Sequence, residues 1–79
     1  MAPDLVVEIL SPGDRPGEVL DKVGQWLNAG VRLVWVLDLV RRNARIYRAD
    51  GSVSLLGTGE SLDGEDVLSG FLCRLDEIV

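Results

Sequence analysis

The stretch Leu5-Val6-Val7-Glu8-Ile9-Leu10 decides the fold of this chain of 79 residues. It is short, apolar and rich in β-branched residues, which predicts a β-strand buried on both faces. A loop rich in proline and glycine follows at residues 11–17. Residues 16–28 then place apolar side chains at helical spacing, with Pro16 suited to the first turn and Gly30 positioned to end the helix.

Three further strands are predicted after the helix, at residues 31–38, 44–49 and 53–56. The Asp50-Gly51 step predicts a hairpin turn between the last two. A strand order of β-α-β-β-β implies a parallel first pair with a right-handed crossover, extended by an antiparallel meander. We therefore expect an α/β (α+β) fold, with one mixed sheet and one main helix. Residues 60–62 are expected to form a short edge strand, and residues 66–79 an irregular apolar tail with a last helical turn at 75–78.

The length and composition exclude several classes of protein. The chain has room for one small domain, residues 1–79. With one cysteine and no histidine, it lacks the residues for an internal disulfide, the usual zinc sites and histidine-dependent nucleophilic catalysis. The longest apolar run, residues 33–37, is far too short to cross a membrane, so no membrane partner is expected. The lone thiol and the lack of a basic leader at the start predict a cytoplasmic protein.

Charge is unevenly distributed along the sequence. The net charge of −5 disfavours non-specific binding to nucleic acid. Five of the eight cations nevertheless lie between positions 32 and 48, beside a single acid, Asp38. Arg32, Arg41 and Arg42 are therefore candidate nucleic-acid-binding residues. The alternative, which the sequence alone favours, is that these arginines keep strand edges and turns soluble.

Glu8 is the only charged residue of the first strand. Burial of an unpaired carboxylate is costly, so Glu8 must be protonated, paired with a cation or bound to a metal. Lys22 lies at the edge of the apolar stripe of the helix, from which its side chain can reach the end of the strand. Two alternatives stay open: a structural ion pair for Glu8, and a Lys22 that extends into water. Trp26 and Trp35 are predicted to pack in the core.

Several motifs occur together in an order typical of one known family. They are Ala2-Pro3-Asp4 leading into Glu8-Ile9-Leu10-Ser11-Pro12, Lys22 with Trp26 four residues later, Ala29-Gly30-Val31, Trp35-Val36-Leu37-Asp38 and Ile46-Tyr47-Arg48. This combination resembles the C-terminal half of the Uma-two family of endonucleases, which have the restriction-endonuclease-like PD-(D/E)XK fold. The resemblance covers nearly the whole chain.

The resemblance implies Mg²⁺-dependent hydrolysis of DNA. Glu8 matches the metal-binding glutamate of the family pattern, and Lys22 matches its catalytic lysine on the following helix. Leu10 stands where a standard Glu-x-Lys motif has its lysine. In such a site, carboxylates hold Mg²⁺, which polarises the phosphate and activates water, while the lysine stabilises the developing charge.

The chain departs from the family pattern at its start. The strand that carries the first metal-binding aspartate of the family has no counterpart in this sequence, so we expect a truncated domain that is inactive as a nuclease on its own. A non-catalytic remnant or self-associating structural module is the alternative. An unpaired apolar edge on the first strand, with one helix to cover two sheet faces, predicts a homo-oligomer, most simply a dimer.

Overall fold

A computed structural model describes residues 3–79, so Ala2 of the motif lies outside the described residues. The elements in chain order are β1 (Leu5–Leu10), α1 (Pro16–Asn28), β2 (Leu33–Asp38), β3 (Asn43–Arg48), β4 (Val53–Leu56), β5 (Ser61–Asp63) and β6 (Leu72–Arg74). Strands β1 to β4 form one mixed sheet in that spatial order, with β1 parallel to β2 and the other pairs antiparallel. The predicted fold class and the β-α-β-β-β order are confirmed.

Helix α1 has the predicted bounds because its end signals are local. Pro16 occupies the first turn, where its missing N–H is not needed, and Glu18 complements the helix dipole. The chain leaves the helix through Gly30, whose φ of 102° is a left-handed conformation that glycine adopts without steric cost. Within residues 3–79, no helix has both the length and the apolar character needed to span a membrane.

The core lies on both faces of the sheet, with β2 at its centre. Successive residues of a strand point to opposite faces. Val34 and Val36 of β2 face α1, where Val23 packs on them. Trp35 and Leu37 face the other way and belong to a second apolar cluster. Strand β2 is therefore covered on both sides.

Residues 61–79 cover the face of β2 and β3 that points away from α1. Strands β5 and β6 pair antiparallel as a separate two-stranded sheet, and a 3₁₀ turn at Leu75–Glu77 follows them. Leu62 and Leu75 are fully buried against the sheet, and the Phe71 ring lies 5.5 Å from the Trp35 ring. The short strand expected at 60–62 and the last helical turn expected at 75–78 are confirmed to within one residue, whereas the predictions of an otherwise irregular tail and an uncovered second face are wrong. The three residues of β6 carry too little of a two-residue repeat to be recognised in the sequence.

Within residues 3–79, strand β1 lies at an edge of the four-stranded sheet and pairs with β2 alone. The prediction that it is buried on both faces is wrong, because Val7 is 45% exposed and Ile9 is 59% exposed. The covering segment packs on β2 and β3 and leaves these two side chains open to solvent. The buried face of β1 is the one toward α1, on which Val6 and Leu10 pack.

Candidate active site

Glu8 projects from β1 toward α1, because it lies two residues from both Val6 and Leu10, which pack on that side. Its side chain is partly buried. The indole Nε1–H of Trp26 donates a hydrogen bond to Oε1 of Glu8 over 3.0 Å. The ion pairs found within residues 3–79 do not involve Glu8. The carboxylate therefore has a neutral donor as its partner, and the alternative of a structural ion pair with an arginine or lysine is not what these residues form.

Glu8 and Lys22 line the same open depression, of about 410 Å³, between β1 and α1. Gln25, Trp26 and Ala29 complete its lining. Lys22 and Trp26 are four residues apart on α1, so their side chains leave the same side of the helix one turn apart. The depression thus brings together a carboxylate, an ammonium group and an indole donor.

The contact between Trp26 and Glu8 is the part of the site that sequence reasoning missed. Trp26 does pack against the apolar cluster under α1, as predicted, but its nitrogen also reaches Glu8. The available signal was chemical: an indole N–H can only donate, and Glu8 was an acceptor without an assigned partner. Trp35, by contrast, is a core residue as predicted, with 4% of its surface exposed.

The loop from β1 to α1 is fixed by Asp14. The backbone N–H of Ser11 donates to Oδ2 of Asp14 over 2.8 Å. Hydrogen bonding to Ser11 holds the pKa of Asp14 below its ordinary value, with a smaller contribution from the positive charge of Lys22. Because this loop sets where α1 begins, it also sets the position of Lys22 relative to Glu8.

The three candidate nucleic-acid-binding arginines do not form one patch. Arg32 precedes β2, whereas Arg41 and Arg42 follow it, so the six-residue strand separates them by about 20 Å. Each has a partner within residues 3–79: Asp66 accepts a hydrogen bond from Arg32 (3.2 Å), the Val79 carbonyl accepts one from Arg42 (3.4 Å), and Arg41 lies 3.7 Å from Asp38 as an ion pair. Their role in binding nucleic acid stays a prediction.

Glu8 contributes one carboxylate to the depression. Its Oε1 accepts the hydrogen bond from the indole N–H of Trp26, while Oε2 accepts no hydrogen bond from residues 3–79. The described part of the chain holds no group of three or more acidic, histidine or cysteine side chains that could bind a metal ion. Proteins often hold Mg²⁺ through one or two carboxylates, with water and substrate phosphates completing its octahedron. The remaining ligands would therefore come from water, from a phosphate or from outside residues 3–79.

A solved structure has the same fold as this chain. The fold is similar, with a TM-score of 0.86 and 20% sequence identity, to a crystal structure from Anabaena variabilis described as "a putative nuclease belonging to DUF820". The match covers 98% of this chain and 44% of that one, so the chain spans less than half the length of this nuclease-like structure. The Uma2 family model, described as "Putative restriction endonuclease", matches residues 1–76, and the chain belongs to this family. No curated protein matches the chain.

Proposed function

We propose that this nuclease-like domain serves in metal-dependent hydrolysis of DNA phosphodiester bonds. Glu8 is the metal ligand, and Lys22 is the cation that offsets negative charge on the phosphate. The observation that carries the proposal is the depression that the two side chains line together. Membership of the Uma2 family supports the reaction class and the choice of DNA as substrate.

The chemistry divides between the two side chains. Glu8 would hold a Mg²⁺ ion through a carboxylate oxygen, and the ion would supply polarisation of the phosphate and activation of the attacking water. The ammonium of Lys22 stabilises charge that builds on the phosphate oxygens as the bond to the leaving group breaks. Since the described residues supply a single carboxylate at the depression, we propose that activity needs a second acid from outside residues 3–79.

Divalent-ion titration of the chain tests the proposal. We expect Mg²⁺ to shift the backbone amide NMR signals around Glu8 and Lys22, and the response to disappear in Glu8→Gln. Glu18→Gln is the matched control, because Glu18 is an exposed acid in the first turn of α1, outside the depression. A response that survives Glu8→Gln, or no response in the unmodified chain, would contradict the assignment of Glu8 as a ligand.

A plasmid-cleavage assay tests the need for a second acid. We expect the 79-residue chain to leave supercoiled DNA intact in the presence of Mg²⁺. Cleavage that depends on both Mg²⁺ and Glu8 would show that the residues of this chain suffice, and would overturn this part of the proposal.

The open edge of β1 favours a second role, self-association. Among the described residues, strand β1 pairs on one side only, and Val7 and Ile9 leave apolar surface beside its backbone groups on the other side. We propose that two copies pair through this edge about a two-fold axis, which would satisfy the backbone groups and bury the exposed side chains.

A further inference from the structure

We infer that a groove beside β3 binds one nucleotide of a DNA strand and that Arg45 holds its phosphate. This β3 groove is the cavity bounded by α1, by the turn after β2 and by the Arg45 and Tyr47 side chains of β3. The inference deepens the proposed function, since it takes DNA as the substrate and assigns residues that hold the strand. The β3 groove and the depression at Glu8 share no lining residue, so the inference requires no metal ion at Glu8.

The size and position of the β3 groove are those of a ligand site. Its volume is about 450 Å³, within the range of about 300–1,000 Å³ typical of small-molecule sites. Leu10 and Asp38, the last residues of β1 and β2, both line it. The groove therefore opens at the carboxyl ends of the parallel strand pair, where open sheets flanked by helices bind their ligands.

Within residues 3–79, Arg45 is the cation of the groove that has no acidic partner. It faces α1, because it alternates with Ala44 and Ile46, which are buried on the other face of the sheet. No hydrogen bond or ion pair formed by the described residues involves its guanidinium. Arg41, by contrast, is paired with Asp38. A free guanidinium presents a planar fork of N–H donors that matches two phosphate oxygens.

The two acids of the groove leave the charge of Arg45 available. Oδ1 of Asp38 accepts the backbone N–H groups of Val40 and Arg41 over 3.1 and 2.9 Å, and Oδ2 lies 3.7 Å from the Arg41 guanidinium. Asp14 lies at the loop end of the groove, where hydrogen bonding to Ser11 holds its pKa below the ordinary value and keeps it ionised. The groove therefore has a free cation on β3 and hydrogen-bond acceptors at the loop.

A nucleotide has the complementary pattern. Its phosphate is an anion, and the pairing edge of every DNA base carries N–H donors that single-strand-binding sites can read. Between the two polar ends, the groove has apolar walls and one aromatic ring, which suit the flat face of a base. These walls are formed by Val19, Leu20, Val36, Val40 and Tyr47. An inorganic phosphate would engage the cation alone and leave the walls in water.

Binding of a fluorescently labelled, single-stranded oligothymidylate in EDTA tests the inference without a divalent ion and without cleavage. We expect Arg45→Gln to weaken binding about tenfold, as for loss of a hydrogen-bonded charged group. The slope of log affinity against log salt concentration should also fall in magnitude by about 0.7, the value for one phosphate contact on a single strand.

Arg74→Gln is the matched control, because it removes the same charge from β6, which covers the opposite face of the sheet. It should leave the affinity and the salt slope nearly unchanged. Equal losses in the two variants, or no binding of the oligothymidylate to the unmodified chain, would overturn the inference.

A second measurement locates the ligand without any substitution. The chain has one tyrosine and one phenylalanine, so each ring gives its own NMR signals. We expect thymidine monophosphate to shift the signals of Tyr47, in the groove, and to leave those of Phe71, on the opposite face, in place. Equal shifts from inorganic phosphate or from oligoglutamate would overturn the assignment of a nucleotide. Shifts from the mononucleotide without binding of the oligothymidylate would overturn the assignment of a DNA strand.

The outcomes separate this inference from the proposed hydrolysis. If Mg²⁺ acts at Glu8 but strand binding ignores Arg45, the proposed function stands and the β3 groove is overturned as the DNA site. If strand binding depends on Arg45 while Mg²⁺ has no effect at Glu8, the inference stands and the assignment of Glu8 as a metal ligand fails.

Discussion

The guanidinium of Arg48 contacts both carboxylate oxygens of Glu65, with its Nε and Nη2 at 2.9 to 3.0 Å. The same guanidinium donates through Nη1 to Oγ of Ser54 on β4 over 2.9 Å. The hydrogen bond to Glu65 raises the pKa of Arg48 above its ordinary value, so the arginine stays charged and its share of the stabilisation is lost only at strongly alkaline pH. This contact holds residues 61–79, which cover the second face of the sheet, against β3.

Removal of the Glu65 charge is expected to lower the free energy of unfolding by about 1 kcal/mol, because a charge-assisted hydrogen bond is stronger than a neutral one and this pair is about one-third exposed. Urea unfolding of Glu65→Gln measures the change. Asp66→Asn is the control, since its pair with Arg32 is far more exposed and should contribute less than about 0.5 kcal/mol. Equal losses in the two variants would contradict the special role of Arg48.

Substitution by alanine is expected to lower the stability of the fold at Gly64 and to raise it at Gly24. A Cβ atom on Gly64 would clash with the backbone carbonyl oxygen of Leu68, and Gly64 forms backbone hydrogen bonds with Phe71 and Leu68. Gly64→Ala should therefore lower the free energy of unfolding by about 3 kcal/mol, within the range of severe single substitutions.

A Cβ on Gly24, inside α1, meets nothing within 4 Å. Gly24→Ala should raise stability by about 0.5–1 kcal/mol. Thermal melts of both variants test the signs.

Asp50 is expected to titrate below its ordinary pKa of 3.8. Hydrogen bonds from the Ser52 hydroxyl and backbone N–H stabilise the charged carboxylate and lower its pKa. Because the folded-state pKa is depressed, the stabilisation is present above pH 3.8 and is lost as the pH falls through the folded-state value. Carboxyl ¹³C NMR should show Ser52→Ala moving the Asp50 titration upward while that of Asp14 stays in place. No movement would show that the hydroxyl has no part in the shift.

Self-association through β1 should be visible by sedimentation at micromolar concentration. We expect a dimer that is weakened by Ile9→Lys, because a charged side chain on an edge strand opposes edge-to-edge pairing. Val40→Lys is the control, since Val40 is 73% exposed and lies in the turn after β2, outside β1. A monomer at all concentrations, or equal effects of the two lysines, would exclude this interface.

The elements with local signals were predictable from the sequence. Helix α1 and β4 have the predicted bounds, because turn and cap residues next to them specify where they begin and end. The turn after β3 also forms where Asp50-Gly51 predicts it, with Gly51 at a φ of 90°. The motifs that resembled the Uma-two family correctly identified the family.

The burial of individual residues and the partners of their side chains were harder to predict from the sequence, because they depend on residues far apart in the chain. The exposure of Val7 and Ile9 follows from where residues 61–79 stop along the sheet, which no local pattern in β1 reports. The donor for Glu8 lies eighteen positions away on a side chain that also packs in the core. The apolar stripe of the helix shows that the Trp26 ring is buried, but it does not show where the indole nitrogen points.

Helix α1 buries a single residue, Val23, and packs on the sheet otherwise through partly buried side chains, whereas β2 is buried from Leu33 through Leu37. Local opening costs least where few side chains are buried, so amide hydrogens of α1 and of the β1 edge should exchange faster than those of β2. Every group of the candidate site lies in that faster-exchanging part. The site can therefore come apart and reassemble while β2 and β3 stay folded, and a ligand that engages Glu8 and Lys22 together selects the assembled state.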